Sequence, residues 1–506
     1  MRRFLLGFAL LFSVASATVH YKLTPQPHAR AILVSVTIDT PKTSETFRIP
    51  AWCPGYYQIA NYEKKLFDIK ATDDTGHILP MESLDSRSWK VYASGSKPIT
   101  FSYKVLGDDP GLGFFAVNVA SDKTFVNGAA AFMYIDGRKE EDVELKIQNP
   151  PDWDIATAMT AGEDSTLVAG GYDEFIDHPI QLGVFKRKSF VVAGVPFEAI
   201  FVAPNNTPKC NITSETERLR LVSKPALKLF GGAAFKRYLY IIHLEVGSFA
   251  GGLEHRACNV QAVANTDQLN LDDLAAHEYF HAWNVKQIRP KILGPFDYTQ
   301  PQRTANLWFA EGVTDYYAKL HTYQSGLKSE AWLRAELASQ IRELQGGQTR
   351  KIKTVEEASK GCWEQDGFSV GDLSFYTKGL LAGFLFDAAI IDASDGKKTL
   401  DDVMRILFAE HKIPKSGYAE DELRNVINRV AGKDLSSLYN RMIRSTDDLP
   451  YANLSKIGLR LNAPSQSLLS PNADAKAEYS VDADPDATPQ ARAFYTVWLH
   501  RLNSVE

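Results

Sequence analysis

The chain has 506 residues, 44% hydrophobic and 23% charged, with a formal net charge of −5. That length suggests about three domains, and the composition excludes wholesale disorder, collagen-like sequence and low-complexity sequence. The negative charge excludes a nucleic-acid binder that relies on a strongly basic face, and four cysteines exclude a disulfide scaffold.

In chain order, Arg2-Arg3 is a short basic start, Phe4–Val14 an apolar run too short to span a bilayer, and Ala15-Ser16-Ala17 a small-x-small cleavage site. Residues 1–17 therefore read as a secretory signal peptide. The mature chain is expected in a secreted or periplasmic setting. The most apolar later stretch, Gly379–Ile391, is interrupted by Asp387 and reads as a core helix, so no membrane span is expected after cleavage.

Residues 18–185 read as strands. Ile32, Val34, Val36 and Ile38 alternate with Leu33, Ser35, Thr37 and Asp39, and further strands are expected at 46–49, 89–92, 99–105 and 143–147. Turn signals separate them, and the spacing suits a β-sandwich. Gly111-Leu112-Gly113-Phe114 matches the carboxylate-binding loop of PDZ domains, but among strands it reads as a hairpin turn. Phe190–Val192 and Phe197–Val202 read as a hairpin that opens a second unit, residues 186–455.

From about 215 the period turns helical. Leu271–Lys286 is a predicted helix with Asn270 as N-cap, Asp272 and Asp273 in its first turn, and Arg289-Pro290 as its stop. Further helices are expected near 306–322, 329–345, 376–391, 400–411, 419–431 and 435–443. Residues 456–506 are Ser-, Ala-, Asp- and Pro-rich and read mostly as loop until Ala491–Leu502. The whole is an α+β multidomain chain, a β-sandwich-like domain followed by a mixed sheet and helices.

His277-Glu278-Tyr279-Phe280-His281 is an H-E-x-x-H motif. Residues four apart share a helix face about 5–6 Å apart at Cβ, so both imidazoles can hold one metal ion while Glu278 reaches a water beside it. A catalytic zinc needs a third protein ligand, and Glu311 in Leu307–Tyr317 supplies a carboxylate. Asp315, one helical turn on, can accept a hydrogen bond from a ligand imidazole. Gly251 and Gly252 let a strand edge approach a bound peptide, and Glu254 points a carboxylate near it, suited to a free α-ammonium group. Tyr376 opens the apolar helix, where its hydroxyl can donate to an oxyanion.

The stretches PAWCPGYYQIANYEKKLFDI (50–69), FVNGAAAF (125–132), GGLEH (251–255), HEYFHAWNVKQIRP (277–290), LWFAEGVTDYY (307–317) and SFYTKG (374–379) resemble, in order, the glycyl-aminopeptidase family of gluzincins. These are zinc peptidases that often carry a C-terminal PDZ domain. The resemblance implies a thermolysin-like catalytic domain with one zinc per chain on His277, His281 and Glu311. It implies Glu278 as general base and Tyr376 as transition-state stabiliser. It further implies that Glu254 holds the amine of a peptide with a free N-terminus, glycine and alanine being preferred. Two alternatives stand beside it, an endopeptidase with the same zinc site and a catalytically inactive peptide-binding protein that kept the fold.

The chain departs from the family pattern after residue 455, where only about fifty residues remain. Gly458-Leu459-Arg460-Leu461 is a candidate first strand of a PDZ remnant, and no working PDZ module is expected. Cys258, close behind GGLEH, reads as a buried small hydrophobe or a disulfide half in preference to an adventitious metal ligand. Outside the cytoplasm Cys53, Cys210, Cys258 and Cys362 allow up to two disulfides in three pairings, or four free thiols.

Overall fold

The alternation of residues 31–38 becomes strand Ala31–Ile38, with Ile32, Val34, Val36 and Ile38 all buried. It lies inside a seven-stranded sheet, between Thr18–Gln26 and Ile99–Leu106 and antiparallel to both. A four-stranded sheet built on Ser44–Arg48 and Ser88–Tyr92 packs against it, with the Phe47 and Phe101 rings stacked at 4.3 Å across the interface. The computed structural model describes residues 18–95, 97–109, 115–245, 247, 250–463 and 478–501. The expected signal peptide and the Gly111–Phe114 turn lie outside the described residues.

The FVNGAAAF stretch is the buried end of strand Lys123–Val126 followed by one helical turn, Gly128–Ala131. Its carbonyls and those beside it need partners, and tyrosines bring them: Tyr103 donates to Ala131 O, Tyr172 to Phe132 O and Tyr21 to Met133 O. Gly128 has no alternative there, since a Cβ would lie 2.5 Å from the Ile176 Cα.

The second unit is built on a five-stranded sheet. Its strands are β1 (Lys186–Val192), β2 (Val195–Val202), β3 (Tyr238–Glu245), β4 (Gly251–Glu254) and β5 (Cys258–Ala264), in the order β1-β2-β3-β5-β4. The predicted hairpin around Gly194 is β1 and β2. Strand β3 is apolar almost throughout because both faces are covered. Tyr238, Tyr240 and Ile242 pack with the helices, while Leu239 and Ile241 join the core of the N-terminal sheets. Strand β4, antiparallel to β5, ends the sheet, and its outer edge pairs with no strand among the described residues.

The helices gather on the other face. Those that shape the site are α1 (Asp272–Phe280), α2 (Val313–Gln324), α3 (Phe375–Ala393) and α4 (Pro489–His500). Helix α1 ends six residues before the predicted Lys286. After Phe280 the hydrogen bonds alternate among i−3, i−4 and i−5 acceptors, as in Trp283 N to Phe280 O and Lys286 N to His281 O, so the turns continue irregularly. The N-cap position is Leu271, although Asn270 Oδ1 still accepts from Asp272 N at 3.1 Å. The predicted helix over 306–322 is likewise two pieces, a wide five-residue turn at Trp308–Gly312 and then α2. Among the described residues no helix is long and apolar enough to cross a membrane, α3 included.

The C-terminal residues are less loop-like than the sequence suggests. Leu459–Asn462 pairs with Ser480–Ala483, and α4 seats Trp498 in the helical core. All four cysteines are buried free thiols, Cys258 among the core residues under the sheet.

Candidate metal centre

Helix α1 carries His277 and Glu278, and His281 sits at its C-cap. Each histidine is oriented by what its Nδ1 faces. His277 Nδ1 is 2.8 Å from Asp315 Oδ1, on the first turn of α2, and His281 Nδ1 is 2.6 Å from the Asn284 carbonyl. Both partners only accept, so each Nδ1 carries the hydrogen and each Nε2 presents a lone pair.

Those two Nε2 atoms face one another at 3.0 Å. Glu311 Oε2 lies 3.2 Å from His281 Nε2 and 3.7 Å from His277 Nε2. Three buried acceptors thus converge with nothing between them that donates. Ligand atoms of a tetrahedral zinc, each at about 2.0–2.1 Å, stand about 3.3 Å apart, so the arrangement fits a zinc ion. Glu311 reaches this point from the wide turn 308–312, of the kind frequent at functional sites. Backbone contact holds that turn: a Cβ on Gly379 would lie 2.2 Å from Trp308 O, and one on Gly312 would lie 2.5 Å from the Gly379 Cα. Helix α3 therefore presses directly on the turn, which brings Tyr376 to the site with its ring 6.1 Å from that of His277.

Glu278 lies under strand β4. A Cβ at Gly252 would fall 2.4 Å from Glu278 Oε1, so any side chain there would displace the carboxylate from this position. Burial pushes the Glu278 carboxyl up to about 7 against the opposing pull of His277 and His281. The added positive charge of a bound cation draws it down again. Gly251 begins the same strand, half-buried at the free sheet edge.

Glu254 ends β4. Ligand atoms of Glu254, Glu278 and His281 lie within 4.8 Å of one another, so the carboxylate stands beside the metal cluster. Its Oε1 is buried and makes no hydrogen bond, with Lys286 Nζ at 3.6 Å. Lys286 is held in turn by Asp177 Oδ1 at 3.0 Å, which His255 Nδ1 also contacts at 3.0 Å.

All the residues singled out from the sequence are thus in one place, Gly251 and Gly252 on the wall, Glu254 at its end, and His277, Glu278, His281, Glu311, Asp315 and Tyr376 around one point. Sequence reasoning did not single out Tyr57, whose hydroxyl donates to Glu311 Oε1 at 2.6 Å, nor Lys286 and Asp177 behind Glu254. Tyr57 lies within PAWCPGYYQIANYEKKLFDI, the longest of the matching stretches, which was the available signal.

The sheet, the helix pair and the convergent His–His–Glu cluster define a zinc metallopeptidase of the gluzincin class. The chain belongs to the M61 glycyl aminopeptidase family: the sequence profile of the M61 peptidase N-terminal domain matches residues 20–184, and that of M61 glycyl aminopeptidase matches residues 270–382. No match was found among curated protein sequences. Among solved structures it is similar to an aminopeptidase N family protein from Idiomarina loihiensis, at 25% identity and a TM-score of 0.81, covering 88% of this chain and 79% of that one. It also shares the fold of an M1 zinc metallopeptidase from Deinococcus radiodurans, at 14% identity and a TM-score of 0.55, covering 86% of this chain and 95% of that one. A variant of the latter is bound to a Tyr-Ser-Ala substrate, with 14% identity, a TM-score of 0.55 and coverage of 86% and 95%.

Proposed function

We propose that the protein is a zinc-dependent aminopeptidase that removes the first residue of peptides and prefers small residues, glycine and alanine. The observation that carries this reading is Glu254, a buried carboxylate with a ligand atom within 4.8 Å of those of Glu278 and His281, whose Oε1 makes no hydrogen bond and has Lys286 Nζ only at ion-pair distance, 3.6 Å. A buried unsatisfied acceptor costs about 1–3 kcal/mol or more, which a substrate ammonium offsets by donating to it. Ligand atoms of Glu254 and His281 lie within 4.8 Å of one another, so an amine held by Glu254 would stand next to the metal cluster, which fits an exopeptidase better than an endopeptidase. Family membership supports the small-residue preference.

His277, His281 and Glu311 would hold one zinc ion per chain, with Asp315 fixing the His277 ring. Zinc bound there supplies a Lewis acid that acidifies water and polarises the scissile carbonyl. Glu278 takes the proton from the attacking water as general base and returns it to the leaving amine. The Tyr376 hydroxyl, kept protonated by burial and then by the Glu311 charge, donates to the developing oxyanion. The free edge of β4, with Gly251 and Gly252, offers backbone groups to the substrate as an added strand. The leader-like residues 1–17 support a secreted or periplasmic location.

The test is a panel of aminoacyl-fluorophore substrates, read with and without a zinc chelator, on the wild type and on Glu278→Gln. Chelator-sensitive release, greatest for glycyl and alanyl substrates and lost in Glu278→Gln with zinc still bound, is expected. Wild-type rates in Glu278→Gln would remove the general base from the account.

A further inference from the structure

We propose that Tyr57 is a positioning residue of the metal centre, supplied by the N-terminal domain, whose hydroxyl holds one oxygen of Glu311 so that the other alone faces the metal. The inference rests on the reading of His277, His281 and Glu311 as zinc ligands.

The two oxygens of Glu311 have different surroundings. Oε2 faces the histidine Nε2 atoms, and Oε1 accepts from the Tyr57 hydroxyl at 2.6 Å, a short bond of the charge-assisted kind. Tyr57 is 3% exposed, so water cannot replace it. Its ring is wedged edge-on against Trp363 at 5.9 Å and Phe375 at 6.4 Å, and Phe375 stacks on Tyr376 at 4.9 Å.

The loop that carries Tyr57 is pinned on both sides. Ala51 N donates to Tyr298 O at 2.8 Å, Trp52 Nε1 to Asp297 O at 3.1 Å, and Ala60 N to Ala51 O at 2.8 Å. Gly55, at φ +87°, lies where a Cβ would sit 2.6 Å from Glu254 Oε2. The loop thus touches two carboxylates of the site, Glu254 through Gly55 and Glu311 through Tyr57. A carboxylate whose second oxygen is occupied binds through one oxygen, which preserves an open coordination position for chemistry. The metal centre is therefore incomplete in the helical unit alone.

The experiment is zinc affinity, measured by competition with a chromophoric chelator on the full-length, substrate-free protein. Tyr57→Phe keeps the ring contacts and removes only the hydroxyl. Its zinc affinity is expected to fall about 10–100-fold, as for loss of other partners of metal ligands. In a Glu311→Gln background the same substitution is expected to change affinity little, because the two residues act as one unit. The melting curve of the metal-free protein serves as the folding control. Wild-type affinity in Tyr57→Phe, or an equal loss in both backgrounds, overturns the proposal. A wild-type protein that binds no zinc overturns the ligand reading instead, so the two failures are distinct.

Discussion

Gly252 and Glu278 are packed so closely that a single methyl group at the glycine would overlap the Glu278 carboxylate, with 2.4 Å to Oε1 and 2.5 Å to Cδ. Strand β4 therefore sets the position of the carboxylate proposed as general base. Gly252→Ala is expected to lower kcat by roughly 10²-fold, the scale of a 1 Å misplacement, while zinc content measured by metal analysis equals that of the wild type. Wild-type turnover in this variant would separate β4 from the base.

Asp315 acts on the other side of the metal centre. Its Oδ1 fixes the ring of His277, and His277 in turn holds its carboxyl below the ordinary range despite burial. Asp315→Ala is expected to weaken zinc binding about 10–100-fold in chelator competition, with Asp315→Asn at the low end because an amide oxygen still accepts.

Much of this centre was legible in the sequence, because a helix places i and i+4 side chains on one face whatever surrounds it. His277 and His281 are such a pair, and Glu311 comes one turn before Asp315, in the wide turn that leads into α2. The N-terminal strands were legible for the same reason at period two. Tyr57, Lys286 and Asp177 were not, because their partners lie 254, 32 and 109 residues away in the chain, Glu311 for the first, Glu254 for the second and Lys286 for the third. No local period encodes such distances. The end of α1 was missed because His281 Nδ1 takes the Asn284 carbonyl, which diverts the backbone from regular pairing.

The C-terminal helix is a structural part of the catalytic unit. Arg501 Nη1 reaches Asp387 Oδ2 at 2.5 Å and its Nε lies 3.3 Å from Asp401 Oδ1, where both carboxylates are buried. Asp387, the charge that interrupts the apolar run of α3, also accepts from Leu400 N at 2.8 Å. Arg501→Ala leaves the buried Asp387 carboxylate without its cation and Asp401 with only Arg405 at 3.8 Å, and is expected to cost about 3–5 kcal/mol, read as a lower denaturant midpoint. A midpoint equal to wild type would remove Arg501 from the stability of this unit.

His321 gives the fold an acid-sensitive element away from the metal. Burial, and then the nearby charge of Arg501, push its pKa down to about 3 from 6.5. Between those values the unfolded chain binds a proton that the folded chain refuses, so this contribution to stability falls as pH drops from 6.5 towards 3. His321→Leu removes that proton. Its stability relative to wild type is expected to rise on acidification by on the order of 1.4 kcal/mol per pH unit, measured by denaturant titration at several pH values. A pH-independent difference would contradict the assignment.

The central claim is that Glu254 receives a free amino terminus beside the zinc ligands. It is tested most directly by comparing kcat/KM for one glycyl or alanyl peptide with a free and with an acetylated N-terminus, on the wild type and on Glu254→Ala. The account expects the wild type to cleave the free peptide and leave the acetylated one essentially intact, and Glu254→Ala to lose most of that preference. Equal cleavage of both peptides by the wild type would contradict it and make the protein an endopeptidase.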